Sequence, residues 1–415
     1  MNIIKELTLK LSTKQDLIDN YFAEKFLKFS ALFYNSVDLR HSSHKITAID
    51  TNCYPAGFNN LSDLGIISSK NLAQDFFAKS LIAKPNSPYT IFIIPENHTR
   101  NFKYLENLSI IFKILQSIEN TKIFIATFNP EIHEPTSITL ENQQIITLFP
   151  LQKISGKLAI KNHDHNIFAD FAILNNDLTN GIPEILNNIV TPISPSTFMG
   201  WFQRTKSQHF NFYNQITHDI SDILEIDPWL ISSFHEKCDD INFKENIGLE
   251  CLVKKVELIL KKITEKYQQY QITDQPYCYI KADNGTYGMA VWSVSDPQEI
   301  LEINKKERNK MNMLKGSTQT HKVMVQEGII TKDTINNNPC EPMIYMVNGQ
   351  VAECLFRCND QRNSQISLNA NGASFYNSQN LLLPNNLDSN NFKIYELIAK
   401  MASLASSQEF NNLKT

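Results

Sequence analysis

No stretch of 18 apolar residues in this 415-residue chain runs free of charge, so a membrane-spanning helix is not expected. An excess of one charge is also missing. Lys plus Arg total 39 against 43 Asp plus Glu, a net of −4, which supplies neither a basic footprint for nucleic acid nor an acidic tail. The seven cysteines, at 53, 238, 251, 278, 340, 354 and 358, show no paired spacing, so reduced thiols in a cytoplasmic protein are expected in place of a disulfide framework. Cys354 and Cys358 lack the second pair that a zinc site needs. From Met1 to Lys10 charges interrupt the apolar residues, which reads as an amphipathic helix and not as a signal peptide. Internal repeats and low-complexity tracts are lacking too, apart from a general richness in Asn, Lys and Ile.

What is present suffices for a large core: 42% of the residues are hydrophobic, 25 of them Phe. At this length two or three domains are expected. The first half alternates apolar β-type runs with helical stretches, the mark of an α/β domain. Ser87 to Pro95 reads as a strand, 102–118 as a helix, 122–127 as the next buried strand, and 168–177 as another whose C-terminal end carries polar residues. Ligands collect at that end of open α/β sheets. A polar loop holding Pro192 and Pro195 reads as a junction, giving an N-terminal α/β amino-acid-binding domain over 1–200 and a second domain over 201–415. Helices are expected at 206–225 and 249–270, the latter with Leu252, Val256, Leu260 and Ile263 on one face. Strands dominate from 277 onward, including a hairpin around Asn348-Gly349, a dipeptide whose residues both tolerate positive φ.

Chemistry begins in the segment Tyr277-Cys-Tyr-Ile-Lys-Ala-Asp-Asn-Gly-Thr-Tyr-Gly-Met-Ala-Val-Trp292, a strand, a glycine turn and a second strand. Gly285 and Gly288 let backbone approach phosphate oxygens, and Lys281 offers them a point charge. A plain hairpin with a surface lysine has the same sequence signature. Downstream, Val323-Met-Val-Gln-Glu-Gly328 is a strand ending in polar residues, and the later hairpin ends at Arg357. This order resembles the ATP-grasp arrangement, a nucleotide-binding and catalytic domain of two antiparallel sheets with flanking helices. On that resemblance Asp283, Gly285, Thr286, Tyr287 and Gly288 cover phosphates, and Glu327 or its neighbour Gln326 meets the ribose; an exposed strand-end acid is the other reading of Glu327.

Several longer segments make the resemblance specific. Tyr34-Asn-Ser-Val-Asp-Leu-Arg40, Lys45-Ile-Thr-Ala-Ile-Asp-Thr-Asn52, Pro55-Ala-Gly-Phe-Asn-Asn60, Ile94-Pro-Glu-Asn-His-Thr-Arg100, Leu174-Asn-Asn-Asp-Leu178 with Gly181-Ile-Pro183, and Lys281-Ala-Asp-Asn-Gly-Thr-Tyr-Gly-Met289 are similar to the proteobacterial glutamate–cysteine ligase family. The match spans about 34 to 375. It implies that ATP, glutamate and cysteine are converted to γ-glutamylcysteine, ADP and phosphate, the first step of glutathione biosynthesis, with ATP and Mg²⁺ as cofactors and no nucleic-acid or membrane partner. An ATP-grasp ligase for another amine, or a nucleotide-binding module without catalysis, are the alternatives.

Roles follow from the chemistry of such a ligase. Lys281 and Arg357 are the expected catalytic cations, and Lys206, or its competitor Lys237, is the second phosphate lysine. Glu341, Glu353 and Asn369 are candidate metal ligands, with Asp360 and Asn371 nearby. Gln365-Ile-Ser-Leu368 precedes Asn369 where ATP-grasp enzymes commonly carry a Glu, so the metal carboxylate is left open. For the amino-acid substrates, Arg40 and Arg100 suit a carboxylate, and Asp38, Asp50 and Asp177 an ammonium group, beside Asn52, Asn97 and Asn176. Asp38 and Arg40 share a strand face and could equally pair with each other. His98 is either a base or part of a helix cap before Phe102.

Overall fold

Side chains two apart on a strand share a face, and that alternation organises the sheet on which the site is built. The computed structural model describes residues 3–81, 87–285, 290–312, 320–377 and 389–413. Its central antiparallel sheet runs Ser374–Tyr376, Gln350–Cys358, Asn338–Val347, Tyr34–His41, Ile46–Asn52, with Thr334–Ile335 paired beside Asn338–Val347. The expected Asn348-Gly349 turn is there, with φ of 53° and 70° at the two residues, the mirror-image turn that suits strand twist.

Register sets the residues of one face in rows. Asp50, Asp38, Met343 and Leu355 stand opposite one another across four strands. Asn52, Ser36, Tyr345 and Glu353 form the next row, and Glu341, Arg357 and Phe375 a third. Helix Asp63–Ser80 covers the Glu353 end, where Glu353 Oε2 accepts a hydrogen bond from Ser62 N at 2.7 Å. The opposite face is apolar: Val37, Leu39, Ile46, Ala48, Ile344 and Met346 are buried in one cluster with Ile394, Leu397, Ile398 and Met401 of helix Ser389–Leu413.

A four-stranded antiparallel sheet, ordered His235–Cys238, Val323–Glu327, Cys278–Ala282, Val291–Val294, faces the open part of that surface. Behind it lies helix Leu249–Gln269, which buries Leu252, Val256, Ile259 and Ile263 at helical spacing; Leu260 is only partly buried. The third sheet has eight strands. Its parallel core runs Ile193–Ser194, Phe171–Asn175, Tyr89–Pro95, Thr121–Thr127, Ile145–Ile154, and Thr136–Thr139, Lys157–Asn162 and His165–Phe168 extend it antiparallel. Chain order reverses between Tyr89–Pro95 and Phe171–Asn175, whose carboxyl ends are tied together by Tyr104 and by the Asn176 side chain on Pro95 O.

The mixed α/β class and the two antiparallel sheets agree with the reading of the sequence. Hydrogen bonds also cross the boundary expected near residue 200, because Tyr34–Asn52 share a sheet with Asn338–Cys358. Among the described residues, no helix is long and apolar enough to cross a membrane.

Candidate active site

Two carboxylates directly opposite each other on neighbouring strands repel, so Asp38 and Asp50 need cations. They have them. Arg357 Nη1 donates to Asp38 Oδ2 at 2.9 Å and to Glu341 Oε1 at 2.9 Å, and its Nη2 donates to Asp38 Oδ1 at 3.3 Å. Lys206 Nζ meets Asp50 Oδ1 at 2.5 Å and sits 4.7 Å above the Trp201 ring. Lys281 Nζ donates to Gln326 Oε1 at 2.7 Å and to Ile49 O at 3.0 Å.

These groups line two adjoining cavities. The inner one, about 50 Å³, lies between the two antiparallel sheets and is bounded by Arg40, Lys206, Lys281, Glu341, Arg357 and Asn369, among others. The outer one, about 790 Å³, extends toward His98 and Asn101, in the segment that follows strand Tyr89–Pro95 of the third sheet. Asp38, Asp50, Gly285, Arg357 and Asn369 belong to both, so they form the junction.

Electrostatics at the junction are finely opposed. Burial pushes the Lys281 ammonium down to about 8; Lys206 and Arg40 add to the effect and Asp50 resists it. Burial acts to raise Asp50, yet Lys206 and Lys281 outweigh it and hold that carboxyl at about 2. Asp38 goes the other way: burial lifts its pKa, the pull of Arg357 falls short of cancelling it, and Glu341 adds to the rise. Arg357 itself is held protonated by the two acids it bridges.

Of the residues expected from sequence, Asp38, Arg40, Asp50, Asn52, Lys206, Lys281, Gly285, Glu341, Arg357 and Asn369 are brought together. Others are placed elsewhere. Glu327 does not face the cleft: it is 1% exposed, pairs with Lys45 at 2.9 Å, and accepts from Trp229 Nε1 and Phe234 N. Gln326 supports Lys281, donates to Ser233 Oγ, and is not among the residues lining either cavity. Asp283 is buried, and its carboxylate accepts from Ser207 N and Oγ, both at 2.7 Å, capping helix Lys206–Leu224 whose own Thr205 makes no side-chain cap. Glu353 serves the start of helix Asp63–Ser80 and lies outside the lining of both cavities, apart from the other candidate metal ligands Glu341 and Asn369.

Asn97 and Arg100 are exposed and outside the lining, whereas their neighbours His98 and Asn101 line it. Asn101, not the 97–99 stretch, caps the helix, accepting from Tyr104 N, and His98 Nε2 lies 2.8 Å from Glu96 Oε2. Asn176 donates to Pro95 O, and Asp177 accepts from Thr179, so both shape their own loop. Lys237 is exposed beside Asp239, so of these two competitors Lys206 is the one that joins Lys281 in lining the inner cavity. Thr286, Tyr287 and Gly288 lie outside the described residues.

Arg40 is saturated. It binds Glu341 Oε2 through Nε at 3.0 Å, Tyr279 Oη and Ile329 O at 2.9 Å, and Ile366 O at 2.6 Å. With Tyr279, whose hydroxyl donates to Gln365 O, it fixes the segment leading to Ser367 and Asn369. Sequence reasoning missed Tyr279, Trp201, and a buried trio in which Glu409 holds Arg204 and His209. A tryptophan three residues before an arginine and five before a lysine was the one available signal.

A family model described as glutamate-cysteine ligase matches residues 9–410. Among solved structures, a chain from Methylobacillus flagellatus KT assigned as a gamma-glutamylcysteine synthetase superposes with a TM-score of 0.87 at 30% identity, covering 98% of this chain and 96% of that one. D-alanyl-alanine synthetase A from Vibrio cholerae O1 biovar eltor is far more distant, with a TM-score of 0.38 and 11% identity over 80% of this chain and 82% of that chain. A glutathione synthetase-like effector from Globodera pallida is similarly distant, at 0.42 and 10% over 86% and 77%. Neither carries weight at those scores. No curated protein sequence matches significantly.

Proposed function

The chain belongs to the glutamate–cysteine ligase family, and from that premise we propose how its two cavities carry out the ligation. The protein is an ATP-dependent ligase of glutathione biosynthesis, acting on small molecules; the family reaction uses ATP and a divalent metal ion. The observation that carries the proposal is the shared junction of Asp38, Asp50, Arg357 and Asn369. A carboxylate resists attack by an amine, so an oxygen of the glutamate γ-carboxylate first attacks the γ-phosphorus of ATP, and ADP leaves. The cysteine amine then attacks the acyl carbon, loses a proton, and expels phosphate. Both steps need the reactants held in line and their charge neutralised.

In this reading the inner cavity takes the phosphates and the outer one the amino acids. Lys281, presented by its strand and propped by Gln326, and Lys206, presented by the first turn of a helix that Asp283 caps, contact phosphate oxygens. Arg357 faces the acyl carbon from the junction. Asn52, His98 and Asn101 lie at the polar end, where the α-amino and α-carboxylate groups of glutamate belong. A cytoplasmic location fits the seven free cysteines.

The cavity donors suit a hard divalent cation such as Mg²⁺, since Asp38, Asp50, Glu341 and Asn369 are all oxygen ligands. They do not form a ready cage: among the described residues no three His, Cys, Asp or Glu side chains are grouped to hold a metal. Glu341, Asp38 and Asn369 would therefore hold Mg²⁺ jointly with phosphate oxygens. The ion supplies neutralisation of the triphosphate, which four cations already facing three carboxylates cannot provide alone.

A phosphate-release assay with Mg-ATP tests the reading. Release should require glutamate together with an amine, cysteine or its close side-chain analogues being preferred. Release that prefers an amine unlike cysteine, or ATP binding without turnover, would sink it. A second expectation concerns pH. Lys281 is depressed to about 8 in the free protein, and only its protonated form attracts phosphates. ATP affinity should then fall as pH rises through about 8, and Lys281→Arg should flatten the profile between pH 7 and 9.5, whereas Lys281→Ala should weaken binding throughout. Calorimetric titration of ATP across that range decides it, and an unchanged slope in Lys281→Arg would remove the lysine from the phosphate site.

A further inference from the structure

Most of the side chains that line the outer cavity are polar, from Asn52 and Asn60 to His98 and Asn101. One wall differs. Met343, Tyr345 and Phe375 stand together on the central sheet, with Ala56, Gly57 and Ala373 around them. The register described above ties this wall to the reaction centre. Met343 shares a row with Asp38 and Asp50, and Phe375 is paired with Arg357. Met343 Sδ lies 3.0 Å from Arg357 Nη2, and the Phe375 ring lies 6.0 Å from the guanidinium carbon.

The wall is also held rigidly. Tyr345 donates its hydroxyl to Ala56 O at 2.6 Å and sets its ring edge-on to Phe58 at 5.1 Å. Gly57 adopts φ 98°, and a Cβ there would come within 2.5 Å of Tyr345 Oη, so the loop closes on the tyrosine only because the residue is glycine.

A group lying here is uncharged, small, and joined by one or two bonds to an atom that reaches the acyl carbon. Glutamate places its γ-carboxyl at the junction and carries its charged α groups away to the polar end. Cysteine brings its amine to the junction with CH₂SH beside it. Resting on the ligase reading above, we propose that Met343, Tyr345 and Phe375 form the recess for the cysteine side chain and that this wall selects thiol over hydroxyl. A thiol is polarisable, hydrogen-bonds weakly, and gains from contact with aromatic edges and thioether sulfur. A serine hydroxyl in the same place gives up its water partners against a wall whose one hydroxyl proton is committed to Ala56 O.

The test compares kcat/KM for cysteine, serine and 2-aminobutyrate, which carries a methyl where cysteine has sulfur, in the wild type, Phe375→Ser and Met343→Thr. The wild type should favour cysteine and 2-aminobutyrate over serine by roughly tenfold to a hundredfold, the range an apolar pocket achieves against an added hydroxyl. Both variants should lower the cysteine-to-serine ratio by about tenfold through KM for the amine, with KM for glutamate held within about twofold. Phe375 is half-buried on an edge strand, so its replacement decides the matter even if Met343→Thr fails to fold, which a melting curve reports. An unchanged ratio, or a rise in the glutamate KM instead, overturns the recess. A wild type that ligates cysteine while the ratio stays unmoved defeats this inference alone; a wild type inactive with cysteine defeats the ligase reading beneath it.

Discussion

Replacing Arg357 with alanine should lower kcat by about a thousandfold while the Kd for ATP changes far less, because a cation that meets charge developing on a transferring phosphoryl or tetrahedral oxygen is used mainly in the transition state. Its position supports that division: it stands at the junction of the two cavities, in contact with Asp38 and Glu341, whereas Lys281 lines the inner cavity alone. The same change leaves two buried acids without a partner. Breaking a buried ion pair from one side costs about 3–5 kcal/mol where the remaining charge cannot relax. Asp38, already lifted above the ordinary carboxylate range by burial, can take up a proton and limit that cost. Arg357→Lys keeps the charge but loses the two-pronged contact, so it should recover stability and only part of kcat. Single-turnover kinetics with a parallel melting curve separate the two effects. Full turnover in Arg357→Ala would show that the guanidinium serves the fold and not the reaction.

The second large effect is expected far along the chain. Glu409→Leu should destabilise the protein by about 3–5 kcal/mol, since it strands the buried Arg204 guanidinium. Glu409 accepts from Arg204 Nε at 2.7 Å and Nη2 at 3.2 Å, and from His209 Nδ1, with all three side chains no more than 2% exposed. Burial pushes the His209 pKa down, against the pull of Glu409, so the ring is neutral and donates one proton to the acid. Arg204 Nη1 also donates to Thr51 O at 2.8 Å, between Asp50 and Asn52, and its guanidinium lies over Trp201 as Lys206 does. Stability and site geometry should therefore suffer together. Arg204→Met combined with Glu409→Leu should restore much of the melting temperature, as apolar replacements of buried ion pairs commonly do, while kcat/KM stays low. A Glu409→Leu protein with an unshifted melting temperature would show that the trio contributes nothing to stability.

Local signals were legible in the sequence. The Asn348-Gly349 turn follows from the φ values that two adjacent residues tolerate, and helices Lys206–Leu224 and Leu249–Gln269 follow from their apolar period. Lys281 and Arg357 were readable as cations at strand ends. Strand alternation gives two faces without saying which one is covered, and that is where the reading slipped. Gln326 and Glu327 point oppositely, the first to Lys281 and the second into a pocket with Lys45 and Trp229. Glu353 shares a face with Arg357 but lies where a helix covers it. The opposition of Asp38 to Arg357 depends on pairing between strands at opposite ends of the chain, and Glu409 is one acid on a helix whose burial no local pattern announces.

That pairing has a consequence for how the molecule comes into being. Asp38 meets Met343 across the sheet, so the first strand waits for roughly 300 further residues to leave the ribosome, about 15–60 s at ordinary rates of synthesis. The eight-stranded sheet, contained within residues 89–194, has all its strands long before then. Until the late strands arrive, Tyr34–His41 and Ile46–Asn52 offer unpaired backbone at an edge, a template for the wrong partner. Nascent chains of every intermediate length should thus be inactive and dependent on chaperones, and catalysis should begin only when the last strands close over the first.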